Sequence, residues 1–235
     1  MRERNLNYAY FSLGKFFFDY KKVLTINTRG FRTLNLKRPE QVKNAPPIHA
    51  VPPGQFITEK FPIMTYDSTP NIDLENWRLR VFGSVENPME FTWEQFLNLP
   101  WKTIEAPFHC VTQWSKLENK WEGVVFSDLI SLVKPPKTAR FVIVHCYGDY
   151  TTNIPIEVLD DNLSVLAHKH DGAVITPEHG WPMRLVVPER YGWKSAKWVN
   201  AIEFVEEDRP GFWEVRGYHN NGDFWKEERF WPELS

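Results

Sequence analysis

Phe108-His109-Cys110-Val111-Thr112-Gln113-Trp114-Ser115 is the stretch on which the reading of this chain turns. A free cysteine is most often a small buried hydrophobe. Cys110 is flanked instead by His109, Thr112 and Gln113, and Pro107 just upstream favours a loop over a core helix. Sulfur in that setting suits chemistry, because the thiolate is the form that binds a metal or attacks an electrophile. The other cysteine, Cys146, follows the apolar run Phe141-Val142-Ile143-Val144. It reads as structural, or as a residue supporting a site from behind.

Outward from Cys110 the chain is a series of short elements. Upstream, Trp77 to Gly83 alternates apolar and charged residues, the pattern of a half-buried strand. Thr92-Trp93-Glu94-Gln95 has capping-box form and predicts a short helix to about Leu99, stopped by Pro100. Downstream, Ser127 is placed to cap a helix through Val133, ended by Pro135-Pro136. Phe141–Val144 predicts a buried strand, turned at Tyr147-Gly148-Asp149-Tyr150 into Thr151-Thr152-Asn153 as a hairpin. Pro155 suits position N1 of a short helix to Leu159. Leu163 to Ala167, Met183 to Pro188 and Val199 to Val205 read as strands, with Asp171-Gly172 as a hairpin turn. Many short strands and few short helices predict an α+β or mostly β domain.

Some 74 residues beyond Cys110 lies a cationic and aromatic segment. Arg184, Arg190, Lys194 and Lys197 surround Tyr191-Gly192-Trp193. Gly192 permits close backbone approach, and Lys194-Ser195-Ala196-Lys197 offers donors suited to a phosphate. A solvated charged face with a turn is the plainer reading. Neither a P-loop nor a dinucleotide-binding glycine motif is present. Histidines 109, 145, 168, 170 and 179 lack the spacing of a zinc site. His168-Lys169-His170 suits one exposed strand face. A cysteine hydrolase pairing Cys110 with a distant histidine stays open, since triad members are not sequence neighbours.

Composition sets the frame. With 235 residues and 42% hydrophobic content the chain can bury one substantial core. All 11 tryptophans lie between Trp77 and Trp231, so the aromatic core begins late. Residues 1–48 carry +7 and residues 49–235 carry −9. Pro46-Pro47 and Pro52-Pro53-Gly54 form the boundary between them, giving a basic extension, 1–48, and a main domain, 49–235. The arm suits an acidic partner or the chain's own acidic body. The acidic body argues against nucleic acid. No run of about 18 apolar residues is present, so no transmembrane segment is expected. Two cysteines make no disulfide framework, and no signal peptide or twin-arginine pair is seen, so a cytoplasmic location is expected.

His109-Cys110-Val111-Thr112-Gln113-Trp114-Ser115, Trp121-Glu122-Gly123-Val124 and Met183-Arg184-Leu185-Val186-Val187-Pro188 through Tyr191-Gly192-Trp193-Lys194-Ser195-Ala196-Lys197-Trp198 resemble the sulfite oxidase superfamily. Within it the chain is similar to the small haem-free molybdopterin oxidoreductases related to the catalytic subunit of methionine-sulfoxide reductase. The resemblance runs from about Pro52 to Trp231. It implies an α+β fold with mixed β-sheets and short helices, holding one molybdenum on one pyranopterin, without haem. It implies that Cys110 is the thiolate on molybdenum. It places Arg184, Lys194, Ser195, Ala196 and Lys197 with the pterin and its phosphate. His179 stands where relatives have a cofactor-contacting asparagine, and Cys146 where they have a threonine. Further contacts are expected near Phe61 to Tyr66.

One departure concerns substrate. Sulfite oxidases have an arginine soon after the ligand cysteine, whereas Val111, Thr112 and Gln113 follow here. The expected activity is therefore oxygen-atom transfer on a small S- or N-oxide rather than sulfite, with an unidentified electron donor or acceptor. Trp114, Tyr150 and Tyr191 are candidate pocket walls. The alternatives are a metal-free Cys110-dependent hydrolase or transferase, and a non-catalytic cofactor-binding module.

Overall fold

The computed structural model describes residues 51–232, and the basic segment 1–48 lies outside the described residues. The strands are β1 (Phe56–Ile57), β2 (Arg78–Gly83), β3 (Met89–Thr92), β4 (Lys102–Glu105), β5 (Phe108–His109), β6 (Trp114–Lys116) and β7 (Lys120–Val125). They continue with β8 (Phe141–Cys146), β9 (Thr151–Pro155), β10 (Val165–His170), β11 (Ala173–Val174), β12 (Arg184–Val186) and β13 (Val199–Val205). Three short helices join them: α1 (Trp93–Leu97), α2 (Phe126–Val133) and α3 (Ile156–Leu159).

The strands form three sheets. One runs β3-β2-β13-β8-β9, one runs β11-β10-β7-β4 with β12 also on β10, and a small one runs β1-β6-β5. β13 lies parallel to β2 and β1 parallel to β6, while the other pairs are antiparallel. The fold is thus α+β with mixed sheets and short helices. No described helix is long and apolar enough to cross a membrane.

Alternation of residue type explains the burial. In β2, Leu79 and Val81 are buried while Arg80 is exposed. β8, flanked by β13 and β9, buries Val142, Ile143 and Val144 in succession, the mark of a strand covered on both faces. The main core gathers Trp77, Phe96, Phe126, Leu166, Leu185, Ile202 and Phe204. Burying each such side chain stabilises by roughly 1.5–3 kcal/mol. A second cluster holds Phe108, Cys110, Trp114, Trp121, Tyr191, Trp193 and Phe224.

Local signals held where both partners of a bond are local. At α1, Gln95 N–H donates to Thr92 Oγ1 at 3.2 Å and Thr92 N–H donates to Gln95 Oε1 at 2.8 Å. α2 differs from expectation, with Val125 at its N-cap and Ser127 already inside the helix. The reason is tertiary: Phe126 N–H donates to Ser164 O, and Ser127 Oγ donates to Asn162 Oδ1. Pro155 closes β9 and caps α3 rather than starting it. β10 begins at Val165, not Leu163, because Asp161 Oδ1 accepts from the amides of Leu163 and Ser164 and holds a turn there. His168 and His170 are half-buried rather than exposed; a bulge between Ala167 and Lys169 turns the strand at that point.

Candidate functional site

Cys110 leaves β5 in a tight turn that returns the chain to β6. Gln113 N–H donates to Cys110 O at 3.0 Å, and Cys110 N–H donates to Trp114 O at 2.9 Å. Gln113 takes φ +74°, the strained residue of the turn. The thiol is 7% exposed, and Thr112 Oγ1 lies 3.1 Å from Sγ as donor. Burial pushes the Cys110 pKa up, while the Thr112 hydroxyl and the Arg229 charge act against that rise.

The segment Tyr191-Gly192-Trp193 lies against this turn. Gly192 N–H donates to His109 O at 2.7 Å. A Cβ at Gly192 would stand 2.5 Å from the Phe108 ring, so only glycine lets the two segments meet. Tyr191 stacks on Trp193 at 5.3 Å, and both share the buried cluster of Cys110. Two segments some 80 residues apart in sequence thus form one site.

Arg184, on β12, is 4% exposed. It donates to His179 O and to Ser195 O, each at 2.9 Å. Its guanidinium sits 5.3–5.7 Å from the Phe108, Phe61 and Trp121 rings. Burial lowers its pKa to about 10, leaving it ionised at neutral pH. Lys197 Nζ donates to Glu178 O at 2.8 Å, and burial with the Arg184 charge brings its pKa down to about 8. Gly180, at φ +114°, lets these cations approach: a Cβ there would lie 3.0 Å from Arg184 Cβ and 3.1 Å from Lys197 Cβ. His179 Nε2 lies 3.0 Å from Phe61 O and must donate to it. Burial lowers the His179 pKa, and Thr176 Oγ1 is 3.1 Å from Nδ1.

A cavity of about 180 Å³ opens here, lined among others by Phe61, Trp121, His170, Thr176, His179 and Arg184. His170 stacks on Trp121 at 4.1 Å, and burial lowers its pKa to about 4. Among the described residues, three buried donors near this cavity or the Cys110 turn have no hydrogen-bond partner: Arg184 Nε, Trp114 Nε1 and Trp121 Nε1. Such donors are rare without a ligand or water to satisfy them.

The remaining expected residues are engaged within the chain. Ser195 Oγ accepts from Val187 N–H at 2.9 Å, and Ala196 O accepts from Leu185 N–H at 2.8 Å. Lys194 is 1% exposed, with Nζ on Asn153 O, Asn153 Oδ1 and the Glu214 carboxylate. The half-buried Tyr150 donates its hydroxyl to Trp193 O at 2.5 Å, and burial raises its pKa well above the phenol range. Trp114, 5% exposed, stacks on Phe108 at 5.7 Å. Cys146 ends β8 inside the main core, where burial pushes its thiol far up. Arg184 and His179 therefore line the cavity, and Cys110, Trp114 and Tyr191 stand in the adjoining cluster. Tyr150 and Lys194 reach that cluster through Trp193 and Glu214.

Phe61, Trp121 and His170 line the cavity without having been singled out as site residues. Phe61 falls in the block expected near Phe61 to Tyr66, and Trp121 heads Trp121-Glu122-Gly123-Val124. His170 had only its place among the histidines. A flat heterocycle with an anionic tail fits aromatic walls beside two cations and unmatched donors. A soft metal carried on that ligand's sulfur fits the single thiol. Among the described residues no group of three or more His, Cys, Asp or Glu side chains could hold a metal ion.

Comparison with known proteins agrees with that chemistry. The family described as "Oxidoreductase molybdopterin binding domain" matches residues 66–213. The uncharacterized oxidoreductase YuiH of Bacillus subtilis (strain 168) is 41% identical over 77% of this chain and 91% of its own length. The protein-methionine-sulfoxide reductase catalytic subunit MsrP of Campylobacter jejuni is 29% identical, over 61% of this chain and 54% of that protein. The sulfane dehydrogenase SoxCD from Paracoccus pantotrophus shares the fold, with a TM-score of 0.56 at 19% identity, covering 80% of this chain and 60% of that one. The chain belongs to the oxidoreductase molybdopterin-binding family, as a molybdenum-dependent oxidoreductase of the sulfite oxidase type.

Proposed function

We propose that Cys110 supplies the protein's thiolate to molybdenum on one pyranopterin, and that the enzyme moves an oxygen atom on a small S- or N-oxide. The observation that carries this is the buried Cys110 thiol sharing one cluster with the aromatic floor of Arg184, whose Nε has no partner among the described residues. When bound, the cofactor supplies two-electron redox chemistry coupled to oxygen transfer. Arg184 and Lys197 bind the anionic part of the cofactor, and Ser195 and Ala196 fix their loop to β12. Phe61, Trp121 and His170 wall the heterocycle and exclude water. Reduction of a sulfoxide then takes two electrons and two protons and releases water. The electrons come from an external donor.

The polar environment disfavours sulfite as substrate. Val111, Thr112 and Gln113 follow Cys110, and the arginine that the fold brings close, Arg229, is engaged by Val111 O and Gln55 Oε1. Among the described residues, the arginine whose charge acts on the Cys110 thiol is thus committed to groups of the chain itself rather than offered to a sulfite dianion. The hydrolase reading is weaker still. Burial raises the Cys110 thiol, and among the described residues its side-chain hydrogen bond is to Thr112, not to a histidine.

The test is an assay of cofactor-loaded enzyme with reduced methyl viologen. Oxidation of the dye by dimethyl sulfoxide, methionine sulfoxide or trimethylamine N-oxide is expected. Turnover of sulfite with ferricyanide, and none with these oxides, would overturn the substrate class.

A further inference from the structure

The turn that carries Cys110 is held by two residues remote from it in sequence. Gln55, just before β1, donates from Nε2 to Cys110 O, Trp114 O and Ser115 Oγ, each at 3.1 Å. Arg229, from the C-terminal segment, donates from Nη1 to Val111 O at 2.6 Å and from Nη2 to Gln55 Oε1 at 3.0 Å. Its guanidinium also lies 4.8 Å from the centre of the Tyr191 ring, and the residue is 9% exposed. Neither Gln55 nor Arg229 falls within residues 66–213, the span matched by the family.

The direction of these bonds follows from the donors. An arginine has five N–H groups and no acceptor, so Gln55 must turn Oε1 towards Arg229. That leaves Nε2, the only donor of the amide, facing the turn. Arg229 and the two turn carbonyls set the amide's orientation together: a flipped amide would turn its NH2 towards the guanidinium and its oxygen against two carbonyl oxygens. The C-terminal segment is itself fixed at the site: Phe224 packs 4.2 Å from His109, and Asn221 Nδ2 donates to Glu228 Oε2 at 2.8 Å.

We propose that Arg229 is a positioning residue that acts through Gln55, fixing the Cys110 turn in the form that presents its sulfur. Docking of the C-terminal segment is thereby coupled to completion of the site. That Cys110 binds molybdenum rests on the function proposed above; the clamp on its turn does not.

The experiment uses the full chain from a host unable to make molybdopterin. Iodoacetamide alkylation is followed separately at Cys110 and Cys146 by peptide mass spectrometry, in wild type, Arg229→Ala, Gln55→Ala and Gln55→Glu. Gln55→Glu keeps an acceptor for Arg229 but no donor for the turn. Loss of the guanidinium's bonds in Arg229→Ala, and of the amide donor in both Gln55 variants, predicts Cys110 alkylation at least about tenfold faster in all three. The Cys146 rate is expected to stay as in wild type. An unchanged Cys110 rate would overturn the proposal, and so would equal acceleration at both cysteines, which reports general loosening. Molybdenum content of the same variants, made in a competent host, gives the second readout and is expected to fall. Faster Cys110 alkylation with undiminished molybdenum supports the clamp and removes instead the assignment of Cys110 as ligand.

Discussion

Lys194 and Glu214 form a buried ion pair, with Nζ 2.5 Å from the carboxylate and both side chains at most 1% exposed. Glu214 also accepts from Thr152 Oγ1 and Trp193 Nε1. The pair ties the start of the Ser195–Lys197 loop to β9 and to the C-terminal part of the chain. Lys194 therefore supports the cation loop from behind, although its sequence neighbours made it look like a phosphate contact. Glu214→Gln leaves a buried lysine without its counter-charge, and a loss of roughly 3–5 kcal/mol in urea unfolding is expected. The double variant Lys194→Met with Glu214→Leu is expected to lose clearly less than the two single losses combined. Additive losses would show that the two charges do not depend on one another.

Acid should destabilise the cofactor-free fold through two histidines. Burial holds His109 and His170 at about 4, below the ordinary 6.5. Between those values the unfolded chain binds more protons, so stability rises with pH and is lost on acidification below 6.5. Each histidine contributes up to about 1.4 kcal/mol per pH unit in that window. His170→Phe keeps a ring against Trp121 and should flatten the slope between pH 6.5 and 4.5 by about that amount. An unchanged slope would contradict the burial argument for His170.

Arg184 should decide retention of the cofactor. It bridges His179 O and Ser195 O through separate nitrogens, a geometry that lysine cannot copy. Arg184→Ala and Arg184→Lys are both expected to lower molybdopterin content after gel filtration, by about tenfold or more for the loss of charge-assisted bonds. Full content in Arg184→Lys would show that charge alone suffices.

Lys197 gives a pH signature for the same contact. Its pKa is brought down to about 8, so it loses its proton above that pH and no longer attracts an anion. Uptake of the cofactor by the cofactor-free protein is expected to weaken between pH 7 and 9 in wild type and to stay flat in Lys197→Met. A parallel weakening in both would place the titrating group elsewhere.

The sequence disclosed those parts of the protein whose causes are local. The capping box at Thr92, the hairpin turn at Asp171-Gly172 and the apolar run at Phe141 each carry their structure in a few residues. Ser127 failed as a cap because the amide at Phe126 found Ser164, a partner 38 residues away. Within the site, Cys110 stood out because polar neighbours are unusual for a core cysteine. Gly192 stood out because close approach demands glycine, and Phe108 is what it approaches. Gln55 and Arg229 gave no such sign. One is an uncharged amide beside a Pro-Pro-Gly turn, and the other sits in an ordinary Glu-Glu-Arg run. Their roles exist only once the two ends of the domain meet across the Cys110 turn.

Whether Cys110 is the protein's ligand to molybdenum is tested by counting sulfur around the metal. X-ray absorption at the molybdenum edge should be recorded on wild type and on Cys110→Ser, both from a molybdopterin-competent host. Three sulfur neighbours are expected in wild type and two in the variant, with thermal unfolding little changed. The same sulfur count in both proteins would contradict ligation by Cys110 and move the thiol out of the metal's coordination.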